Sequence, residues 1–171
     1  MIRRFLDDRR GVVAVEFALA SVMIMLATLN AADVGSYVYQ TMQVENAAQM
    51  AVQTVLQTCP AKQLPATTTC SGLSGRVGTA VGSTALGTAV TLDGGQVTES
   101  YLCADRTSKL VEVGTLGSKP ATCAAAGNAS VAPGDYVVAA VSFSFRPMMS
   151  GASVAALLTT PIRRSATMRV G

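Results

Sequence analysis

The pattern of apolar and polar positions changes character twice along the chain. From 12 to 32, twenty-one residues run with Glu16 as their only charge. From 33 to 58 the apolar positions become periodic. Val34, Val38, Met42, Ala48, Val52, Val55 and Leu56 recur among Gln40, Gln43, Asn46, Gln49 and Gln53, which predicts an amphipathic helix with a stripe interrupted at Glu45. Proline is absent from 12–58 and Gly35 is the one glycine, so the two stretches read as one helix of about 70 Å. After Cys59-Pro60 the period changes. Residues 61–95 are rich in Thr, Ser, Gly and Ala and read as loop with little helix. Strand-like alternation follows at 97–103, 109–113, 135–145 and 162–170. In 135–145, Val141, Phe143 and Phe145 fall on one face and Ser142 and Ser144 on the other. Asp93-Gly94-Gly95 predicts a hairpin turn between Val90-Thr91-Leu92 and the strand that begins at Val97. Residues 120–133 read as a surface loop and 152–158 as a short helix. The expected class is α+β: a long N-terminal helix, first transmembrane and then amphipathic, packed on a small antiparallel β-sheet head.

About 20 apolar residues suffice to cross a bilayer, and 12–32 supplies them. Arg3, Arg4, Arg9 and Arg10 precede this run, and no basic residue follows it until Lys62. The positive-inside rule therefore sets the N-terminus in the cytoplasm and the remainder outside. Four regions follow: a basic leader at 1–11, a spanning half of the helix at 12–32, an amphipathic half at 33–58, and an extracytoplasmic head at 59–171. A secretory signal has a shorter apolar core followed by its small-residue cleavage site. Here Gly11 comes before the core, so a cut after it would leave the span on the mature chain. Glu16 is the costly residue, because an acid within a span marks function by default. The competing reading is an uncleaved anchor, with Glu16 about 6 Å in from Val12 and reaching back to the interface.

Charge and cysteines narrow the partners. Charged residues make up 13% of the 171, against roughly 25% in soluble domains. The formal net charge of +3 is too small to point to nucleic acid. Four of the thirteen basic residues lie in the leader, so its removal leaves a nearly neutral chain. Cys59, Cys70, Cys103 and Cys123 all lie beyond the span, as disulfides on the oxidising side of a membrane would. Zinc is disfavoured, since no C-x-x-C pair and no histidine is present. Of the three possible pairings, Cys59–Cys70 with Cys103–Cys123 closes the shortest loops and is favoured. No histidine, nucleophile elbow, P-loop or dinucleotide fingerprint appears, so the chain reads as a non-enzyme with no catalytic residue, no cofactor, no metal and no small-molecule substrate.

Gly11, an apolar helix, an acid at the fifth position after it and Phe17 next resemble the class III signal of type IV pilins and pseudopilins. Arg10-Gly11-Val12-Val13-Ala14-Val15-Glu16-Phe17-Ala18-Leu19, with the helix continuing through Thr58 and a late strand near Met168-Arg169, is similar to the TadE/TadG-like minor pseudopilins of tight-adherence (Tad/Flp) pili. The likeness covers about residues 9–56 and is loose over the head. It implies cleavage by a prepilin peptidase between Gly11 and Val12, with Arg9 and Arg10 as the leader's basic flank. It implies that Glu16 is the assembly acid, meeting the freed amine of Val12 on a neighbouring subunit. The implied partners are other pilin subunits, held through the N-terminal helix in the inner membrane. The implied role is assembly or initiation of the pilus, with the head at its tip and surface adhesion as the outcome. The leader is short and the helix lacks the proline of many type IV pilins, which favours the Tad branch. A signal-anchored periplasmic binding protein or adhesin that never polymerises is the alternative.

Overall fold

A computed structural model describes residues 10–171; Arg9 and the rest of the leader before Arg10 lie outside the described residues, as do the side chains of Arg10 and Ala61. The described chain is α+β. Helix α1 spans Arg10–Thr58 as 49 unbroken residues. Ala and Val are its commonest residues, followed by Gln and then by Leu, Met and Thr; Ala, Gln, Leu and Met are strong helix formers, and nothing in it lacks a backbone donor. Two short helices follow, α2 (Ala66–Thr69) and α3 (Leu73–Gly82). Five strands then form one antiparallel sheet: β1 (Thr91–Leu92), β2 (Thr98–Ala104), β3 (Leu110–Thr115), β4 (Gly134–Phe143) and β5 (Ile162–Arg169).

The residues form two compact units. One contains 10–39 with Arg146–Leu158, and the other contains Gln40–Phe145 with Thr159–Gly171. The second unit holds the core. Val44, Ala47, Ala48, Ala51, Val52 and Val55 of α1 are all buried, with spacings of three and four residues that keep them on one face. This stripe differs from the one expected. Val38, Met42 and Leu56 are exposed: at 3.6 residues per turn the buried arc centres near Val44 and Val55, which puts Met42 on the opposite side and Val38 and Leu56 just past its edge at Val52.

β4 is the central strand. It pairs with β5 along Tyr136–Phe143 on one edge and with β2 along Gly134–Val138 on the other. Asp135, Val137, Ala139 and Val141 point into the core, in the period of two that the sequence shows. The hairpin expected at Asp93-Gly94-Gly95 does not form. β1 pairs with β4 instead, at Val141 and Ser142, on the same edge that β2 occupies further along. Asp93–Gly95 is thus a step inside one interrupted strand. Gly94 (φ 73°) and Gly95 (φ 75°) take the left-handed backbone that it needs, and the Ser142 hydroxyl donates to Asp93 Oδ1 at 2.7 Å.

The stretch 61–95 also holds more helix than expected. Leu73, Val77 and Val81 recur every four residues in α3 and are buried, while Gly75, Gly78 and Gly82 have open space beside them. The glycine content hides a short amphipathic helix whose apolar residues outweigh its weak propensity. The Cys59–Cys70 and Cys103–Cys123 disulfides both lie in this unit.

Candidate functional site

The apolar half of α1 is the first candidate surface. Every residue from Gly11 to Thr28 is exposed. Phe17 is 74% exposed and Met23 76%, a state that water does not favour for so many large apolar side chains together. An 18-residue window of the helix reaches a mean hydropathy of 2.3, and the helix is long and apolar enough to cross a membrane. Its few polar groups are satisfied within the helix. Ser21 Oγ donates to Ala18 O and Thr28 Oγ1 to Ile24 O, both at 2.8 Å, and Asn30 Nδ2 donates to Leu26 O at 2.9 Å. Such internal bonding is what a hydrocarbon solvent demands. Glu16 is the exception: it is exposed, and among the described residues nothing donates to its carboxylate. Gly11 and Val12 are exposed in the first turns of the same helix, one turn before it. The structure therefore gathers Gly11, Val12 and Glu16 at one end of α1. The cysteines belong to the other unit.

At the end of the apolar run the polar groups acquire distant partners. Val154 N donates to Asn30 Oδ1 at 2.7 Å, and Asn30 Nδ2 also reaches Ala152 O at 3.4 Å. Met148 N donates to Asp33 Oδ1 at 2.9 Å. Asp33 is 1% exposed, and its Oδ2 is buried without a well-formed hydrogen bond. The Ser153 hydroxyl lies beside that carboxylate. Its oxygen accepts from Ala155 N, which leaves its proton free to turn toward Asp33. Ser153 first, and then the Met148 and Met149 amides, hold the Asp33 carboxyl below its ordinary pKa. This cluster is absent from the sequence reading. Its signal was present: two polar residues one turn apart, where an apolar run ends.

The head carries a second acid cluster that the sequence reading did not single out. Tyr101 faces Asp135 and Glu99 faces Val137 across β2 and β4, which makes Glu99 and Asp135 diagonal neighbours on the inner face. Glu99 is held by three donors, Ala66 N at 2.9 Å and Thr67 N and Oγ1 at 2.7 Å each. It thereby satisfies the free amides at the start of α2. Burial, and then the adjacent Glu99, push Asp135 up to about 6, while Lys119 opposes the rise. Lys119 Nζ stands 5.1 Å from the centroid of the Tyr101 ring. Among the described residues no group of three or more His, Cys, Asp or Glu could hold a metal ion. A cavity of about 120 Å³ lined by Thr67, Cys70, Leu73, Val77 and Val97 is well below the 300–1,000 Å³ of ordinary ligand sites.

Residues 11–53 match the family model described as TadE-like protein. The match covers the apolar half of α1 and most of the stripe beyond it, and none of the sheet. No curated protein and no solved structure matches the chain.

Proposed function

We propose that this chain is a minor pseudopilin that takes part in assembly or initiation of a Tad-type pilus, with its head at the pilus tip in support of surface adhesion. The observation that carries this reading is the placement of Gly11, Val12 and Glu16 in the first two turns of an exposed apolar helix that the TadE-like family model matches. The leader holds its arginines in the cytoplasm, and α1 anchors the chain in the inner membrane with the head on the periplasmic side. A prepilin peptidase cuts between Gly11 and Val12 and releases the leader. The new amine on Val12 then lies about 6 Å along the axis from Glu16 of the same helix, so both charges stand at one end of the apolar helix, within reach of a neighbouring subunit. When apolar helices of several subunits bundle, Glu16 meets the amine of the next subunit, and each buried charge has a partner. The role is structural and the partners are other pilin subunits.

Intact-mass measurement of the membrane-derived protein tests the cut: a mature chain that starts at Val12 supports the reading, and retention of the leader leaves an uncleaved anchor. Glu16→Ala tests assembly. Membrane insertion should persist, because removing an acid from a span lowers its cost, while incorporation into sheared pili should fall at least about tenfold if a paired buried charge of 1.4 kcal/mol or more is lost.

A further inference from the structure

We infer that the segment 147–158 is a second membrane-contacting element, an apolar strap that lies in the outer interface of the bilayer beside the end of the span. The inference rests on 12–32 crossing a membrane and not on polymerisation.

This segment belongs to the same compact unit as 10–39. It is fastened at the level where the apolar run ends, through Asn30 and Asp33. Its large outward side chains are apolar, Met148 being 68% exposed, Val154 53% and Leu157 88%, and Ser150 is its exposed polar side chain. No charge occurs from Pro147 to Ile162, and basic residues stand on either side of that stretch, Arg146 before it and Arg163 and Arg164 after it. Apolar residues flanked by arginines suit the boundary between acyl chains and headgroups.

The backbone agrees with this placement. Irregular chain near hydrocarbon must satisfy its own amides. Met148 N goes to Asp33 and Val154 N to Asn30. Ala152 N and Ser153 N go to Met149 O, Ala155 N to Ser153 Oγ, Ala156 N to Ser153 O, and Leu158 N to Ala155 O. The same contacts give partners to Asn30 Oδ1 and Asp33 Oδ1 where the apolar run ends, so strap and span bury polar groups against each other.

Fluorescence of the full chain in phosphatidylcholine vesicles tests the inference, because the protein has no tryptophan of its own. Leu157→Trp reports the strap, Met23→Trp the span, and Val131→Trp an exposed position in the head. In vesicles with brominated acyl chains, Leu157→Trp should lose about half of its intensity, as expected for side chains buried about 5–10 Å into the interface, and its emission should shift to the blue. Met23→Trp should be quenched as well, and Val131→Trp should not. Adding Asp33→Ala to Leu157→Trp should lower the strap's quenching toward the Val131 value and leave Met23→Trp unchanged. Quenching of Met23→Trp without Leu157→Trp overturns the strap while the span stands. Quenching of neither removes the span and the strap together. A blue-shifted Leu157→Trp that brominated lipid does not quench means that a protein covers this face, and also overturns the inference.

Discussion

The two halves of α1 are one helix with two kinds of surface. From Gly11 to Thr28 every side chain is exposed, and the apolar ones circle the helix. In the second half, Val44, Ala47, Ala48, Ala51, Val52 and Val55 are fully buried, while Glu45, Asn46, Gln49 and Gln53 face outward. Helix propensity is similar in both, so propensity explains the helix and not the difference. The second half has a stripe and buries it in its own chain. The first has no stripe, and its burial must come from lipid or from other helices.

A single aspartate breaks the two halves in opposite ways. Val52→Asp places an unpaired charge where the side chain is 1% exposed, and should cost about 4 kcal/mol or more and unfold the head in thermal circular dichroism. Met23→Asp should leave the melting of the head unchanged and lower membrane insertion instead, by about 3 kcal/mol at the centre of a span, read from the carbonate-resistant fraction. Next in size is the loss of the Cys103–Cys123 bridge, which closes a 20-residue separation between nearly buried cysteines. The double change to serine should lower stability of the head by about 3 kcal/mol, measured by the urea midpoint, and leave insertion intact.

Asp135 gives a smaller effect, again confined to the head. Its folded pKa, about 6, exceeds the ordinary 3.8, so the native state binds the proton more tightly than the unfolded chain does. Stability of the head should therefore rise as pH falls from 7 through 6, and Asp135→Asn should raise Tm at pH 7 and flatten that rise. A wild-type Tm that drops steadily over the same interval would contradict the assignment. The smallest effect belongs to the exposed apolar side of the second half. Leu56→Ser should change stability of the head by no more than about 0.5 kcal/mol, which sharpens the distinction between its stripe and its outer face.

Much of this was legible in the residues. The apolar run, the length of the helix and the strands at 135–145 and 162–170 were readable because their signals are local: composition, period and the absence of breakers. The hairpin at Asp93-Gly94-Gly95 was misread because glycines announce a change of direction and not which strand will pair next. α3 was misread because its three apolar residues lie among glycines that argue against helix until packing is added. Of the candidate site, Gly11, Val12 and Glu16 are named from their order in the sequence, and the structure adds that they are exposed in the first turns of α1. Asn30 and Asp33 were not, since their partners stand more than a hundred residues away.

The sequence by itself determined the apolar character of each part. A run with one charge in twenty-one residues forms a helix long and apolar enough to cross a membrane, the positive-inside rule gives it an expected direction, and the four cysteines beyond it pair as two disulfides. Tertiary structure decided which polar groups are left to be satisfied, and by what. It placed Asp33 and Asn30 under the amides of 148–154, set Glu99 beneath α2, and left Asp135 beside it with its charge opposed. The physical reason is that transfer energies add along the chain and can be read in order, whereas a buried hydrogen bond needs two groups that only the fold brings together.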